Sequence, residues 1–464
     1  SSNKSSMRSK RTELEQLELA ILRKAQDEAE QRTGEKVAQS PEVIKIIKIL
    51  EAFLVKHKLI CYGGTAINNI LPIEDQFYNR DIEVPDYDFF SPQALKHAKE
   101  LADIYKREGY NDVVAQSGVH AGTFKVFVNF IPVADITELP PNLFNAIKKE
   151  AITVNRILYA PPNYLRMAMY LELSRPDGDV SRWEKVLKRL TLLNNNYSLD
   201  DPRCDNVKFM RDFEGNPKIK HELYTVVRDA LINQGLVFFG GFASTLYGQH
   251  LPKRIRHKIT ESPDFDVLSE DPISSANVVK ERLQESGFKK IKITRHNGIG
   301  EIIAPHYEIS VDKDAVCFIY EPLACHSYNT IMHGKRTVKV ASIDTMLSFY
   351  LAFIYADRAY YDKNRILCMA QYLLEAQRKN RLAQEGLLKR FSTQCYGRQE
   401  TLENIRAEKA EKFKELRNKR NTSEYERYFL RYTPDNVASK KSSSAKKSRK
   451  SLKKHSTKTK RKQT

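Results

Sequence analysis

Apolar positions recur along this chain in two rhythms, and the change of rhythm marks its parts. Between residues 11 and 32, Leu14, Leu17, Ile21 and Leu22 share one stripe at i, i+3, i+7, i+8 spacing, which predicts an amphipathic helix. A Gln-Ser-Pro break at 39–41 ends it, and Pro41 opens a second predicted helix, PEVIKIIKILEAFLVKHK. Short apolar runs of strand type then take over: LICY before Gly63-Gly64, TFKVFVNFIPVADIT, and HYEISVDKDAVCFIYE. Strands mixed with helices predict an α/β (α+β) chain with mixed sheets.

One run returns. LICYGGTAINNILP (59–72) is echoed by LVFFGGFASTLYGQHLP (236–252), roughly 180 residues later. VPDYDFF (84–90) then matches SPDFDVL (262–268), PVAD (132–135) resembles PLAC (322–325), and FNAI (144–147) resembles YNTI (328–331). Two helical segments close each copy. Motifs kept in one order indicate a duplication. The expected organisation is a helical arm at 1–40, a first copy at 41–200, a second at 201–380 joined through DDPRCDN (200–206), and a helical C-terminal region at 381–438. A Lys-rich tail follows at 439–464.

Charge changes this picture at one end. The 464 residues carry a net +19, and twelve of those charges fall in the tail, which holds no acid, no aromatic and one Leu. Such a segment cannot bury enough apolar surface to fold alone, so disorder is expected. The body stays basic, which suits a polyanionic partner. No apolar run is long enough for a membrane span, and the first residues lack the apolar centre of a signal peptide. The six cysteines form no CxxC pair, which argues for a reducing compartment and against a disulfide framework.

The candidate chemistry lies in the first copy. Residues i and i+2 of a strand face the same way, so Asp86 and Asp88 project together, about 7 Å apart at Cα. Paired carboxylates of this kind invite a hard cation, Mg²⁺ or Mn²⁺. Asp135, ending VFVNFIPVAD, is the expected third carboxylate of a two-metal site. Gly63 and Gly64 allow a phosphate close to a helix N-terminus, and Thr65 is expected to cap that helix or donate to a phosphate oxygen. Singly these signals are common; their order is what counts.

That order resembles the nucleotidyltransferase superfamily of DNA polymerase beta and the poly(A) polymerases. CYGGTAINNILP, VPDYDFFS, PVADIT and DVSRWEKVLKR together look like the poly(A) polymerases of poxviruses and giant DNA viruses, over roughly residues 45–380. The Asp86–Asp88 pair lies farther from the glycines than is usual in the superfamily, but Asp264–Asp266 in the second copy shares the long spacing. The resemblance implies two tandem nucleotidyltransferase-like domains and template-independent transfer of AMP from ATP to an mRNA 3′-hydroxyl, releasing pyrophosphate. It also implies RNA and ATP as partners, a homodimer, no membrane, and a location in the host cytoplasm (a virus factory) or the virion, although the lysine tail would equally suit a nucleus.

In such enzymes the helices after the catalytic sheet contact the nucleotide, which makes Asn163, Tyr164, Arg166, Arg182 and Lys185 candidates here, against their reading as core aromatics or a solvated face. In the second copy Cys325 stands where the motif match places Asp135, so that copy is expected to lack a complete metal site. The competing view gives Asp312 or Asp314 that role. Tyr247, Arg254, Arg256, His257 and Lys258 are candidate RNA contacts. Alternative functions are a uridylyl- or oligoadenylate-type transferase and a non-catalytic RNA-binding scaffold.

Overall fold

The computed structural model describes residues 2–207, 213, 217–256, 262 and 264–434. The expected tail at 439–464, and His257 and Lys258, lie outside the described residues. The first half runs α1 (Ser2–Ala38), α2 (Pro41–His57), β1 (Ile60–Tyr62), α3 (Gly63–Ile70), β2 (Tyr87–Ser91), α4 (Ala94–Arg107), β3 (Val113–Ser117), β4 (Thr123–Val128), β5 (Ile131–Glu138), α5 (Pro141–Lys149), β6 (Ile152–Val154), β7 (Ile157–Tyr159), α6 (Pro162–Leu173) and α7 (Trp183–Asn196). Next come α8 (Pro217–Asn233), β8 (Val237–Phe239), α9 (Gly240–Tyr247), α10 (Lys253–Arg256), β9 (Phe265–Leu268), α11 (Pro272–Glu285), β10 (Ile291–His296), β11 (His306–Val311) and β12 (Asp314–Tyr320). The chain closes with β13 (His326–His333), β14 (Arg336–Ala341), α12 (Ile343–Phe353), α13 (Lys363–Lys379), β15 (Cys395–Tyr396), α14 (Leu402–Leu416), α15 (Ser423–Phe429) and β16 (Arg431–Tyr432).

The two sheets have one topology. The first is ordered β16-β3-β4-β5-β2-β1-β7-β6 and the second β10-β11-β12-β9-β8-β14-β13-β15. With the short edge strands β16 and β15 set aside, each strand of one order has its counterpart in the other. The senses agree too: β1 runs antiparallel to β2 and β2 parallel to β5, as β8 does to β9 and β9 to β12. The duplication is therefore a property of the fold, although two of the motif matches that suggested it do not align. Asn145 sits in α5 and Asn329 in β13. Cys325 lies in the loop after β12, whereas Asp135 lies within β5.

Contacts divide the described chain into two compact units, one of residues 2–138, 153–159 and 412–434, the other of residues 139–152 and 160–411. This differs from cuts near 200 and 380. α6 and α7, read in the sequence as the end of the first copy, pack within the second unit, where α6 lies along α12. The segment read as a helical C-terminal region is divided: residues 381–411 belong to the second unit and 412–434 to the first, where β16 pairs antiparallel with β3 and Tyr432 donates to Asp103 at 2.7 Å.

In the first unit α2 buries Val43, Ile46, Leu50, Phe53 and Leu54, the stripe its spacing requires, and Lys58 in the left-handed region ends it. Burying each such side chain stabilises by about 1.5–3 kcal/mol. β4 alternates, with Phe124, Val126 and Val128 buried and Thr123, Lys125 and Phe127 on the other face. α1 keeps Leu14, Leu17, Ile21 and Leu22 exposed.

The reading against disulfides is corrected in the second unit. Cys204 is bonded to Cys368 and Cys325 to Cys395, with Cα atoms 5.2 and 5.1 Å apart. The partners are 164 and 70 residues apart in sequence, so no local motif announces them.

Candidate active site

The site of the first unit is built across four adjacent backbone segments. β1 runs into the Gly63 turn, and Tyr62 is the register partner of Asp88 on β2. Asp88 is in turn opposite Asp135 on parallel β5, and Asp135 is opposite Lys125 on β4. Residues in register share a face, so the turn, both carboxylates and the ammonium form one row, with neighbouring strands about 4.8 Å apart. Asp86 precedes β2 by one residue. Its carbonyl accepts a 2.6 Å hydrogen bond from the Thr65 hydroxyl, which fastens α3 to the aspartate pair.

Gly63 has φ +74, and a Cβ there would lie 2.6 Å from Asp88 Oδ2. A glycine is required both by the backbone and by the carboxylate. Thr65 makes no cap bond to its helix and is buried, with its hydroxyl proton given to Asp86. Its hydroxyl therefore tethers α3 to the Asp86 segment, where a cap of that helix was expected.

Electrostatics follow from this crowding. Asp86 is exposed, yet desolvation and then the Asp135 charge push its carboxyl above the ordinary carboxylate range, while Lys125 pulls it back. Lys125 Nζ reaches Asp135 Oδ2 at 2.5 Å. Three carboxylates on one edge are an all-oxygen donor set suited to a hard divalent cation. They are not drawn as tightly together as two other groups among the described residues, whose candidate ligand atoms lie within 4.8 Å of one another. In one of those groups His57 and Glu100 bond at 2.9 Å, beside His97, which shares a proton with Ser91 at 2.6 Å. The other is Asp177 with the Cys325–Cys395 disulfide, whose sulfurs are already consumed.

In the second unit Gly240 repeats the Gly63 conformation at φ +74, and its Cβ would meet Asp266 Oδ2. The register across β9 and β12, however, places Phe318 opposite Asp266. Phe318, not Cys325, is thus the counterpart of Asp135. Neither Asp312 nor Asp314 substitutes, because both lie near the start of β12, away from Phe318. Asp264 is buried and pairs with Arg365 at 3.6 Å. Phe318, Tyr320, Phe353, Tyr360 and Tyr361 crowd the remaining space to about 30 Å³, room for one or two waters.

The expected nucleotide contacts belong to the second unit. Arg166 is 1% exposed; it donates to Asn194 Oδ1 at 2.6 Å, and also to Asn163 Oδ1 and the Tyr197 carbonyl. Burial lowers its guanidinium to about 10. It is a core tie between α6 and the end of α7, with no reach toward a ligand. Tyr164 is buried edge-on against Tyr355. Arg182 pairs with Glu172 at 3.1 Å, and Lys185 is exposed. Of the candidate RNA contacts, Tyr247 is fully buried with its hydroxyl at the Ala341 and Leu387 carbonyls, and Arg254 pairs with Asp205 at 3.0 Å. Arg256 donates to the Leu251 carbonyl.

Lys125 escaped the sequence reading. The signal was available: in TFKVFV a lysine takes the face opposite the buried Phe124 and Val126, two strands from the aspartate pair.

Comparison with known proteins places this geometry. The chain is similar to a putative poly(A) polymerase catalytic subunit of African swine fever virus (strain Badajoz 1971 Vero-adapted), at 33% identity over 168 residues, 35% of each protein. It therefore spans about a third of the length of those curated relatives. A putative poly(A) polymerase catalytic subunit of Acanthamoeba polyphaga mimivirus is 26% identical over 275 residues, 58% of this chain and 46% of that protein. The crystal structure of the Megavirus polyadenylate synthase superposes with a TM-score of 0.77 at 21% identity, over 94% of this chain and 90% of that one, which shows a shared fold. Residues 48–179, which hold the Gly63 turn, the Asp86–Asp88 pair, Lys125 and Asp135, match the family model "Poly(A) polymerase catalytic subunit".

Proposed function

We propose that this protein is a polynucleotide adenylyltransferase that extends mRNA 3′ ends without a template. The observation that carries this reading is the row Gly63–Asp88–Asp135–Lys125 on one sheet face, inside the region matched by the family. Asp86, Asp88 and Asp135 would hold Mg²⁺ or Mn²⁺, which when bound makes the attacking hydroxyl more acidic and offsets charge on the leaving group. The Gly63 turn lets the triphosphate of ATP lie close to the backbone. The RNA 3′-oxygen bonds to the α-phosphorus and the α–β anhydride bond breaks. The bonding pair departs with pyrophosphate, and the hydroxyl proton passes to Asp135. Lys125 favours the ionised form of Asp86.

The second copy serves this reading as a non-catalytic partner, since Phe318 and Arg365 occupy what would be its ligand positions. The 439–464 tail and the basic body hold RNA phosphates in a salt-dependent way. A second copy of the chain is the occupant we propose for the open Leu14–Leu17–Ile21 stripe; light scattering that finds a monomer refutes that part.

Incubating the full chain with an oligoadenylate primer, ATP and Mg²⁺ or Mn²⁺ tests the activity. Wild type should lengthen the primer, Asp88→Ala should not, and RNA affinity should be the same in both. A fully active Asp88→Ala protein would refute the proposal.

A further inference from the structure

We propose that the cavity beside Asp86 is the polyphosphate site, with Arg80 as the cation that holds the nucleotide's phosphate tail and then the departing pyrophosphate. The inference rests on the polymerase reading for its role in turnover, but the anion site itself is independent of it.

The cavity has a volume of about 300 Å³, and Thr65, Asn68, Asn69, Tyr78, Arg80 and Asp86 are among its lining residues. Of the three site carboxylates Asp86 alone reaches it. Asp135 lies on the other flank, because β2 sits between β1 and β5. Phosphoryl transfer places the entering and leaving oxygens on opposite sides of phosphorus. An attacking hydroxyl beside Asp135 therefore sends the leaving group toward α3 and this cavity.

The cavity wall is built, not incidental. Asn68 Oδ1 accepts from the backbone N–H groups of Phe77 and Tyr78, each at 2.8 Å, which pins the loop that carries Arg80. Arg80 donates to Asn69 Oδ1 at 3.3 Å, and Asn69 donates to the Tyr159 hydroxyl at 2.9 Å. Both asparagines are buried in α3, an unusual place for two adjacent amides unless they organise something. A guanidinium so placed offers a planar fork that matches two phosphate oxygens. The one acid on the wall besides Asp86 is Glu83, whose carboxylate accepts from the Asn79 N–H.

A way out is also cationic. Arg80 lines a second, more open cavity of about 480 Å³ together with Lys48 and Arg156. Glu51 in that cavity is engaged by the Tyr87 hydroxyl at 2.7 Å. Arg156 has φ +69 and follows Asn155 at φ +49, in a hairpin turn where glycine would be less strained. An arginine kept in the left-handed region presents its charge at this cavity mouth.

The test is calorimetric titration of the full chain with inorganic pyrophosphate in Mg²⁺, alongside an oligoadenylate titration. We expect wild type to bind pyrophosphate, Arg80→Ala to bind it at least roughly tenfold more weakly and Arg80→Lys to fall between them, while RNA affinity is unchanged. Arg80 is exposed, so Arg80→Ala should fold, and circular dichroism checks this. Unchanged pyrophosphate binding in Arg80→Ala overturns the proposal. So does loss of RNA affinity instead, which would mark an RNA backbone site. A wild type that binds pyrophosphate through Arg80 yet never lengthens a primer refutes the polymerase reading and upholds this site.

Discussion

Gly63 is glycine because Asp88 is there: a Cβ on Gly63 would stand 2.6 Å from Asp88 Oδ2, and Gly240 meets Asp266 in the same way in the second unit. The glycine that opens a turn thus also sets where a carboxylate rests. Gly63→Ala should push Asp88 out of its row and strain a backbone at φ +74. We expect about 1–2 kcal/mol of lost stability and at least roughly a hundredfold loss of AMP transfer. Gly109, at φ +97 with open space around its Cβ position, is the control. Gly109→Ala should share the backbone strain and keep activity, as melting curves and primer extension together will report.

The second unit makes an electrostatic prediction. Asp264 is 4% exposed and faces Arg365. Arg365→Ala removes the guanidinium that faces this buried carboxylate, and breaking a buried pair typically destabilises by about 3–5 kcal/mol. Asp264→Ala with Arg365→Ala should recover part of that, so a double-mutant cycle by denaturant unfolding should show a coupling of at least about 1 kcal/mol. Asp264→Ala with Asp266→Ala should retain AMP transfer within a few-fold of wild type, provided the protein folds. Loss as complete as that of Asp88→Ala would make the second copy catalytic.

Arg166 tests how burial changes a residue's meaning. It resembles a phosphate ligand in the sequence and is a buried tie in the fold, with three acceptors around its guanidinium. Arg166→Met should cost about 2 kcal/mol or more of stability, since Asn163, Asn194 and the Tyr197 carbonyl lose their donor. The KM for ATP of the folded fraction should stay unchanged. Arg182→Ala, which takes an exposed arginine from half-buried Glu172, should shift stability by about 1 kcal/mol at most.

What the sequence made legible were features fixed by local geometry: the Gly-Gly turn, the Asp86–Asp88 spacing and the strand that carries Asp135. What it hid depended on register and burial. The PVAD–PLAC match aligned Asp135 with Cys325 by letters, but β12 ends at Tyr320, and pairing with β9 puts Phe318 at that position. The TFKVFV alternation showed which face Lys125 takes, but strand pairing was needed to set it opposite Asp135, and Arg80 needed the loop pinned by Asn68. The cysteine pairs needed the tertiary fold, since one joins Cys204, in a short 3-10 turn, to helix α13.

Buried histidines give the last prediction, a pH dependence. Burial lowers His97 and His306 to about 4 and His326 to about 3, from an ordinary 6.5. Their native partners fit neutral rings: His97 shares a proton with Ser91, and His306 bonds the Ala304 carbonyl and the Tyr360 hydroxyl. Because each native value lies below the unfolded one, the unfolded chain takes up protons first as pH falls. Their contribution is therefore fully present above pH 6.5 and is lost progressively from 6.5 down to about 4. Each histidine adds at most about 1.4 kcal/mol of lost stability per pH unit in that window. Urea unfolding at pH 7.5 and pH 5 should show a marked drop, and His306→Gln should make the drop smaller while lowering stability at pH 7.5. A stability that is flat between those two pH values would show that these rings are not held neutral.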